Sequence, residues 1–234
     1  MDPVFSKIKH GLIVSCQAEG ESPFNSPEGV VMFAQTAKNG GAVAIRSEGI
    51  AKTKRIIETI GLPVVGLVKS SFPDGSVRIT GSFKDLEGLL EIGTTIIAVD
   101  GTFREREGMT GPEFIAEIKQ RHRCILMADI ATVQEGMACA EAGADCVSST
   151  LSGYTPQTAS SGPGPDVNLV QSLSSILNIP VIAEGRINTP ELAAQMQAAG
   201  AWSIVVGSAI TRPAEITSWF VRSIGSAAQR KGAL

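Results

Sequence analysis

Eight short apolar runs recur along the chain, and they constrain its fold more than any other feature. Each run is continuously hydrophobic, which is typical of strands buried on both faces of a parallel sheet. A longer segment with helical patterning follows each of them. The runs begin at Gly11 (GLIVSC), Ala42 (AVAIR), Pro63 (PVVGLVK), Thr94 (TTIIAVD), Arg123 (RCILMAD), Ala144 (ADCVSS), Pro180 (PVIAEG) and Trp202 (WSIVVG).

The segments between these runs carry signals that begin and end helices. Residues 26–28 and 189–191 each combine an N-cap hydroxyl, a Pro at the first helical position and a Glu in the first turn. Glycines that precede the next strand, such as Gly61 and Gly143, are predicted C-caps. Eight strand–helix units predict a (β/α)8 TIM-type barrel, with a doubly wound open sheet as the alternative. The chain has 234 residues, so we expect one barrel domain over residues 1–234.

Two segments interrupt this rhythm. Residues 72–80 (FPDGSVRIT) contain Pro-Asp-Gly turn chemistry, which predicts a small hairpin over the barrel mouth. Residues 153–165 (GYTPQTASSGPGP) are polar and rich in Gly and Pro. The sequence leaves two interpretations of this second segment open, a mobile lid and an ordinary surface loop.

Composition and charge narrow the expected partners and location. The chain carries 20 Lys and Arg against 23 Asp and Glu and has no basic stripe, so neither nucleic acid nor a membrane is an expected partner. Its first ten residues lack the apolar core of a secretory signal. Its four cysteines lack metal-ligand spacing and are typical of free thiols, so we expect a cytoplasmic protein.

The residues indicate neither a His-containing metal site nor a nucleotide cofactor. The only histidines, His10 and His122, both precede strands and therefore belong to the end of the barrel away from the expected site. No Walker motif occurs, and no dinucleotide-binding glycine motif follows a strand.

Polar residues or glycines stand at the carboxyl end of every predicted strand. Barrel enzymes place their sites at these ends. A polar strand end also results simply from contact with water, but acids, bases and amides converging on one rim favour a site. In chain order the rim residues are Gln17, Arg46, Lys69, Asp100, Asp129, Ser149 with Thr150, Glu184, and Gly207 with Ser208.

Lys69 and Glu184 are predicted to face each other across this rim. Their strands begin at Pro63 and Pro180, 117 residues apart, which is half the chain length of 234. Each side chain lies an even number of residues after its proline, so strand alternation puts both on corresponding faces. A base and an acid would then approach a small substrate from opposite sides. The alternative is a cross-barrel ion pair.

The last two strand ends suggest phosphate binding. Many barrels hold phosphate with backbone N–H groups of the loops after their seventh and eighth strands, where glycine permits close approach. A following arginine can add a charge-assisted hydrogen bond. The predicted phosphate-binding residues are Gly185, Arg186, Gly207, Ser208 and Arg212.

Motifs at seven strand ends resemble those of the bacterial N-acetylmannosamine-6-phosphate 2-epimerase family, and the resemblance spans nearly the whole chain. The most specific are IAEGRINTPE around Glu184 and STLSGYT from Ser149. The others are SCQA, AIRSEG, VGLVK, MADIAT and VVGSAITRP. The chain departs from the family after the lysine, where Ser70-Ser71-Phe72 replaces the usual Arg-Asp-Tyr.

This resemblance implies reversible interconversion of N-acetylmannosamine 6-phosphate and N-acetylglucosamine 6-phosphate, in sialic acid breakdown and without a cofactor. Lys69 is implied to take the C2 proton and Glu184 to return one on the other face. To act as a base, Lys69 must be desolvated or near cations such as Arg46, with a pKa of roughly 7–8. The implied substrate-binding residues are Gln17, Arg46, Asp129, Thr150, Ser152 and Tyr154.

Two other functions remain open from the sequence. One is a Schiff-base aldolase or lyase that uses Lys69 as its nucleophile on a sugar phosphate. The other is a sugar-phosphate sensor without catalysis. A homodimer is the candidate assembly.

Overall fold

A closed barrel of eight parallel strands forms the body of the protein in a computed structural model. The structure describes residues 1–72, 76–159 and 162–232, with side chains as far as residue 226. The barrel strands follow the order β1-β2-β3-β6-β7-β8-β9-β10 and close on β1. Within these ranges the strands are β1 (Leu12–Ser15), β2 (Ala44–Glu48), β3 (Val64–Leu67), β4 (Lys69–Ser71), β5 (Val77–Ile79), β6 (Ile96–Asp100), β7 (Leu126–Asp129), β8 (Cys146–Ser148), β9 (Val181–Glu184) and β10 (Ser203–Val206).

Helices alternate with these strands as the sequence predicts. Ser26 caps the second helix by accepting a hydrogen bond from the Gly29 N–H at 3.0 Å, and Gly61 ends the third with a left-handed φ of 69°. The α-helices in the described part of the chain are α1 (Pro3–Ile8), α2 (Pro27–Asn39), α3 (Ile50–Ile60), α4 (Phe83–Glu91), α5 (Gly111–Arg121), α6 (Val133–Glu141), α7 (Val167–Ile176), α8 (Pro190–Ala198), α9 (Ser208–Thr211) and α10 (Pro213–Gly232).

Alternate residues of all eight barrel strands form one buried cluster, which fills the barrel interior. Leu67 on β3 and Ile182 on β9 belong to this cluster, so the proline-bearing faces of those strands point inward. The two strands are four positions apart in a ring of eight and therefore lie opposite each other. Phe5 and Ile8 of α1 close the other end of the interior. The predicted opposition of the third and seventh strands is confirmed.

The third apolar run ends earlier than the sequence predicts. β3 stops at Leu67, and Lys69 begins β4, which pairs antiparallel with β5 so that Lys69 lies opposite Ile79. The predicted hairpin after the third strand is therefore present, and it starts at the lysine itself. The Pro-Asp-Gly turn at residues 73–75 lies outside the described residues.

The last helix, α10, leaves a large part of its apolar surface uncovered. The exposed fractions of Phe220, Val221 and Ile224 are 67%, 63% and 69%. Among the described residues no helix has the length and apolarity needed to cross a membrane.

Candidate active site

A cavity of about 740 Å³ opens at the carboxyl ends of the barrel strands. Polar side chains from the loops and from the barrel interior line it, and the β4–β5 hairpin borders it through Val77 and Ile79. Eleven of the thirteen residues that the sequence nominates for the site lie on its wall: Gln17, Arg46, Lys69, Thr150, Tyr154, Glu184, Gly185, Arg186, Gly207, Ser208 and Arg212. Asp129 and Ser152 lie behind the wall.

Arg46 and Asp129 form a buried ion pair beneath the cavity. Arg46 Nη2 lies 2.5 Å from Asp129 Oδ2, and Arg46 Nη1 lies 3.2 Å from Asp129 Oδ1. Both side chains are almost fully buried. Because this bidentate pair satisfies the Asp129 carboxylate, the structure gives Asp129 the role of orienting Arg46.

Glu184 joins the same network from β9, two strands along the ring from β7. Its Oε2 lies 3.2 Å from Arg46 Nη1 and 3.0 Å from the Thr150 hydroxyl. Burial raises the pKa of Glu184 to about 7, and the neighbouring Asp129 carboxylate adds to this effect against the opposing charge of Arg46. The side chain is therefore in a range where it can hold or release a proton near neutral pH.

Hydrogen counting around Thr150 indicates that one of its two carboxyl neighbours holds a proton. Its Oγ1 lies 2.9 Å from Asp129 Oδ1, 3.0 Å from Glu184 Oε2 and 2.8 Å from the Ser148 hydroxyl. A threonine hydroxyl donates once and accepts twice, so it can donate to one carboxylate and accept from Ser148 and from a protonated carboxyl. Burial raises the pKa of Asp129 as well as that of Glu184, against the opposing charge of Arg46. Of the two carboxyls, Glu184 is the one that lines the cavity and can pass a proton to a bound molecule.

Lys69 has a different neighbour from the one the sequence suggests. Its ammonium makes an ion pair with Glu19, and its side chain is 35% exposed. Glu184 is paired with Arg46 instead, so a direct Lys69–Glu184 ion pair is not the arrangement found. Lys69 is also neither desolvated nor beside a cation as expected, because its side chain is partly exposed and its partner is an anion.

Glu19 is a cavity residue that the sequence interpretation missed. It follows β1 on a loop with no regular structure, and it lies on the cavity wall. Its Oε1 is 3.6 Å from Arg212 Nη2 as well as in contact with Lys69. The available signal was its place two residues after the rim residue Gln17, whose amide donates to the Ser15 hydroxyl at 2.9 Å.

The loops after β9 and β10 meet on the cavity wall as predicted for anion binding. Gly207 precedes the single turn of α9, and Ser208 is its first residue. Gly185 has a φ of 108°, which favours glycine. Arg212 follows α9 with its side chain 40% exposed. The first turn of a helix leaves backbone N–H groups without intrahelical partners, and these can face an anion.

Arg186 holds the loop that follows β8. Its Nε donates to the Gly164 carbonyl at 2.6 Å and its Nη1 to the Ser152 carbonyl at 2.7 Å. The Tyr154 ring lies 5.5 Å from the guanidinium carbon. Ser152 itself donates to Asp166 Oδ2 at 2.6 Å, at the start of α7. These contacts give Arg186 and Ser152 a role in shaping the loop.

The remaining rim acid, Asp100, belongs to a separate buried cluster. It accepts hydrogen bonds from Arg104 at 2.6 Å and Arg106 at 3.0 Å, and it is fully buried. Arg104 reaches the cavity wall, whereas Asp100 does not line it. Within the described part of the chain, no three His, Cys, Asp or Glu side chains are grouped as metal ligands.

Fold and site together define a (β/α)8-barrel protein with paired ionisable groups at its catalytic mouth. A family model described as "NanE: Putative N-acetylmannosamine-6-phosphate epimerase" matches residues 30–226. The chain belongs to this N-acetylmannosamine-6-phosphate epimerase family.

Individual relatives match over nearly the full length. Proteins named "Putative N-acetylmannosamine-6-phosphate 2-epimerase" from Caldanaerobacter subterraneus subsp. tengcongensis and Clostridioides difficile are 41% and 42% identical. The matches cover 94% of this chain in both cases, and 94% and 99% of the relatives. The solved N-acetylmannosamine-6-phosphate 2-epimerase from Clostridium perfringens is 40% identical, with a TM-score of 0.88 over 94% of this chain and 96% of that one.

Proposed function

We propose that this protein reversibly epimerises C2 of N-acetylmannosamine 6-phosphate to give N-acetylglucosamine 6-phosphate, in amino sugar breakdown. The observation that carries the proposal is the presence of Lys69 and Glu184 on one cavity wall, on opposite sides of the barrel. Membership of the epimerase family supports this reaction over the others that the sequence left open.

The proposed reaction starts from the open-chain aldehyde. The neutral Lys69 amine removes the C2 proton, and the electron pair of the C2–H bond forms the C1–C2 double bond of an enolate, with the negative charge on O1. Glu184 donates its own proton to the other face of C2 and becomes a carboxylate. Lys69 then loses a proton to solvent and Glu184 gains one. Proton transfer supplies roughly 10²–10⁴-fold, so stabilisation of the enolate must add to it.

Arg46 is the proposed stabiliser of the enolate oxygen. Its guanidinium lies on the cavity wall, and its position is set by Asp129 and Glu184. Gln17, Thr150 and Tyr154 are proposed to contact the sugar. Gly185, Gly207, Ser208 and Arg212 are proposed to hold the phosphate, with Arg186 supporting them through the loop after β8. If the unphosphorylated sugar has the same kcat/KM as the phosphorylated one, the phosphate assignment is wrong.

Proton NMR in D₂O tests the reaction and the two separate bases. Product formed in the first turnovers should carry deuterium at C2, because neither Lys69 nor Glu184 returns the abstracted proton. Glu184→Gln should exchange C2 of the epimer that Lys69 deprotonates without forming product. Lys69→Ala should exchange the other epimer. If C2 protium is fully retained in the product, or if Glu184→Gln epimerises normally, the two-base scheme is incorrect.

A borohydride experiment separates this reaction from Schiff-base chemistry. An aldolase or lyase using Lys69 would form an imine with its substrate, and reduction would leave the sugar covalently attached. We expect no trapped adduct. Turnover itself distinguishes an epimerase from a sensor.

A homodimer is the proposed assembly, with α10 of one copy packed on the barrel of the other. A largely apolar groove of about 470 Å³ lies on the outside of the barrel, where Leu12 of β1 and Ile204 and Val206 of β10 face outward beside α8. Each barrel strand is normally covered by the following helix, yet α10 keeps Phe220 and Ile224 exposed. Both surfaces are apolar, and packing the helix of one copy in the groove of the other would bury both.

The cytoplasm is the proposed location, and residues 1–234 are proposed to be one domain. The four cysteines are all unpaired thiols, which suits a reducing compartment.

A further inference from the structure

Glu19 stands between two cations that the proposed reaction needs for the substrate. Its carboxylate pairs with Lys69 and lies 3.6 Å from Arg212, and Lys52 lies nearby. Lys52 also donates to the Ala18 carbonyl at 3.1 Å, which holds the loop close to the cavity. Glu19 is therefore an anion inside a site that is proposed to bind an anionic sugar.

Electrostatics keep this carboxylate charged. Burial by itself would raise the pKa of Glu19, but the hydrogen bond and charge of Lys69, with the charges of Arg212 and Lys52, lower it below its ordinary value. A charged Glu19 pairs with the Lys69 ammonium and with the Arg212 guanidinium. Both cations therefore already have a counter-ion within the protein.

We infer that Glu19 is an internal counter-ion that the phosphate of the substrate displaces, so that phosphate binding frees Lys69 to act as the base. This inference rests on the proposed function for the role of Lys69. A phosphate dianion beside Arg212 takes over that guanidinium and repels the Glu19 carboxylate. Glu19 is on an irregular loop and 41% exposed, so it can turn toward solvent. Lys69 then loses its counter-ion and faces the sugar.

Binding of inorganic phosphate tests the occupied anion site without any turnover. Glu19→Gln keeps the shape of the side chain and removes its charge. Since each partly exposed ion pair contributes modestly, we expect Glu19→Gln to bind phosphate about three- to tenfold more tightly by titration calorimetry. Glu21→Gln is the matched control: Glu21 is exposed on the same loop and should leave the affinity unchanged. An unchanged Kd for Glu19→Gln overturns the inference.

Turnover of unphosphorylated N-acetylmannosamine tests the link to Lys69. This sugar cannot displace Glu19, so the wild type should turn it over poorly even at saturation. Glu19→Gln should raise its kcat severalfold, because Lys69 then has no carboxylate partner to lose before it can reach the sugar. If phosphate binds more tightly but this kcat is unchanged, the link is wrong. Failure of the wild type to epimerise the phosphorylated sugar would instead contradict the proposed function.

Discussion

At the scale of single residues, the chemistry of the site depends on how the charges of Arg46, Asp129 and Glu184 are paired. Asp129 and Glu184 carry two carboxyls against the single guanidinium of Arg46, so one carboxyl is left to hold a proton. Burial raises the pKa of both carboxyls, and Glu184, which lines the cavity, is the proposed acid. Removing one partner of the buried Arg46–Asp129 pair would leave an uncompensated charge, which is strongly destabilising. Variants of Lys69 and Glu184 are therefore cleaner tests.

Lys69→Ala should abolish epimerisation while the protein stays folded. The side chain begins the small β4–β5 hairpin and is a third exposed, so the barrel core does not depend on it. Lys54→Ala, at an exposed position on α3, should keep wild-type turnover. Turnover by coupled assay, with thermal melts of both variants, checks this. More than a tenth of wild-type turnover in Lys69→Ala would remove Lys69 from the base role.

Glu184→Gln should change how stability depends on pH. The folded-state pKa of Glu184 is about 7, against an ordinary value of 4.5. Between these values the folded protein holds a proton that the unfolded chain releases, so this group's contribution to stability is lost as pH rises from about 4.5 to about 7. The Tm difference of Glu184→Gln relative to wild type should therefore increase over that window and stay constant above it. A pH-independent difference would contradict the raised pKa.

At the scale of elements, Arg186 connects the two ends of the loop after β8. It donates hydrogen bonds to the carbonyls of Ser152 and Gly164. A Cβ added at Gly153 would lie 1.7 Å from Arg186 Nη1, where φ is also +84°. The absence of a side chain at Gly153 therefore leaves the space that the Arg186 guanidinium fills.

Arg186→Ala should loosen this loop and weaken substrate binding. Loss of two charge-assisted hydrogen bonds costs on the order of 3 kcal/mol and acts locally. We expect faster proteolysis within residues 153–165 and a KM raised about tenfold or more. Gly153→Ala should produce the same proteolytic change through the clash. Gly162→Ala is the comparison variant in the same loop: an added Cβ there meets no atom within 4 Å, so it tests the strain of a positive φ without a clash. Equal proteolysis of wild type and Arg186→Ala would show that the Arg186 hydrogen bonds do not hold the loop.

At the scale of the whole molecule, the uncovered groove and the exposed face of α10 are two apolar surfaces that the proposed dimer would bury. Phe220→Asp should prevent the proposed dimer, because a carboxylate in an apolar groove is unfavourable. Met32→Asp, at a 61% exposed position on α2, is the control and should remain dimeric. Sedimentation velocity distinguishes the two. A wild type that remains monomeric at high concentration would exclude the homodimer.

Much of the architecture could be predicted from local sequence. Apolar runs, N-cap hydroxyls and C-terminal glycines act over a few residues, and the closed barrel follows from their alternation. The offset of 117 residues between the two prolines placed Lys69 and Glu184 on opposite strands, and the even spacing from each proline put both side chains on corresponding faces. Val133, Met137 and Ala140 recur at helical spacing in α6, which predicts that they share one packed face. Met137 is nevertheless 39% exposed, while Gly136 and Cys139 are buried.

The sequence by itself determined the strands, the caps and the ring of polar residues, since each depends on neighbours along the chain. Tertiary structure alone decided the partners within that ring. Glu19 meets Lys69 across 50 positions, and Arg46 meets Asp129 across 83. It also decided that α10 leaves the groove beside β10 uncovered. Such contacts depend on the exact distances between side chains from separate strands and loops. Those distances exist only after the barrel closes, so no local pattern encodes them.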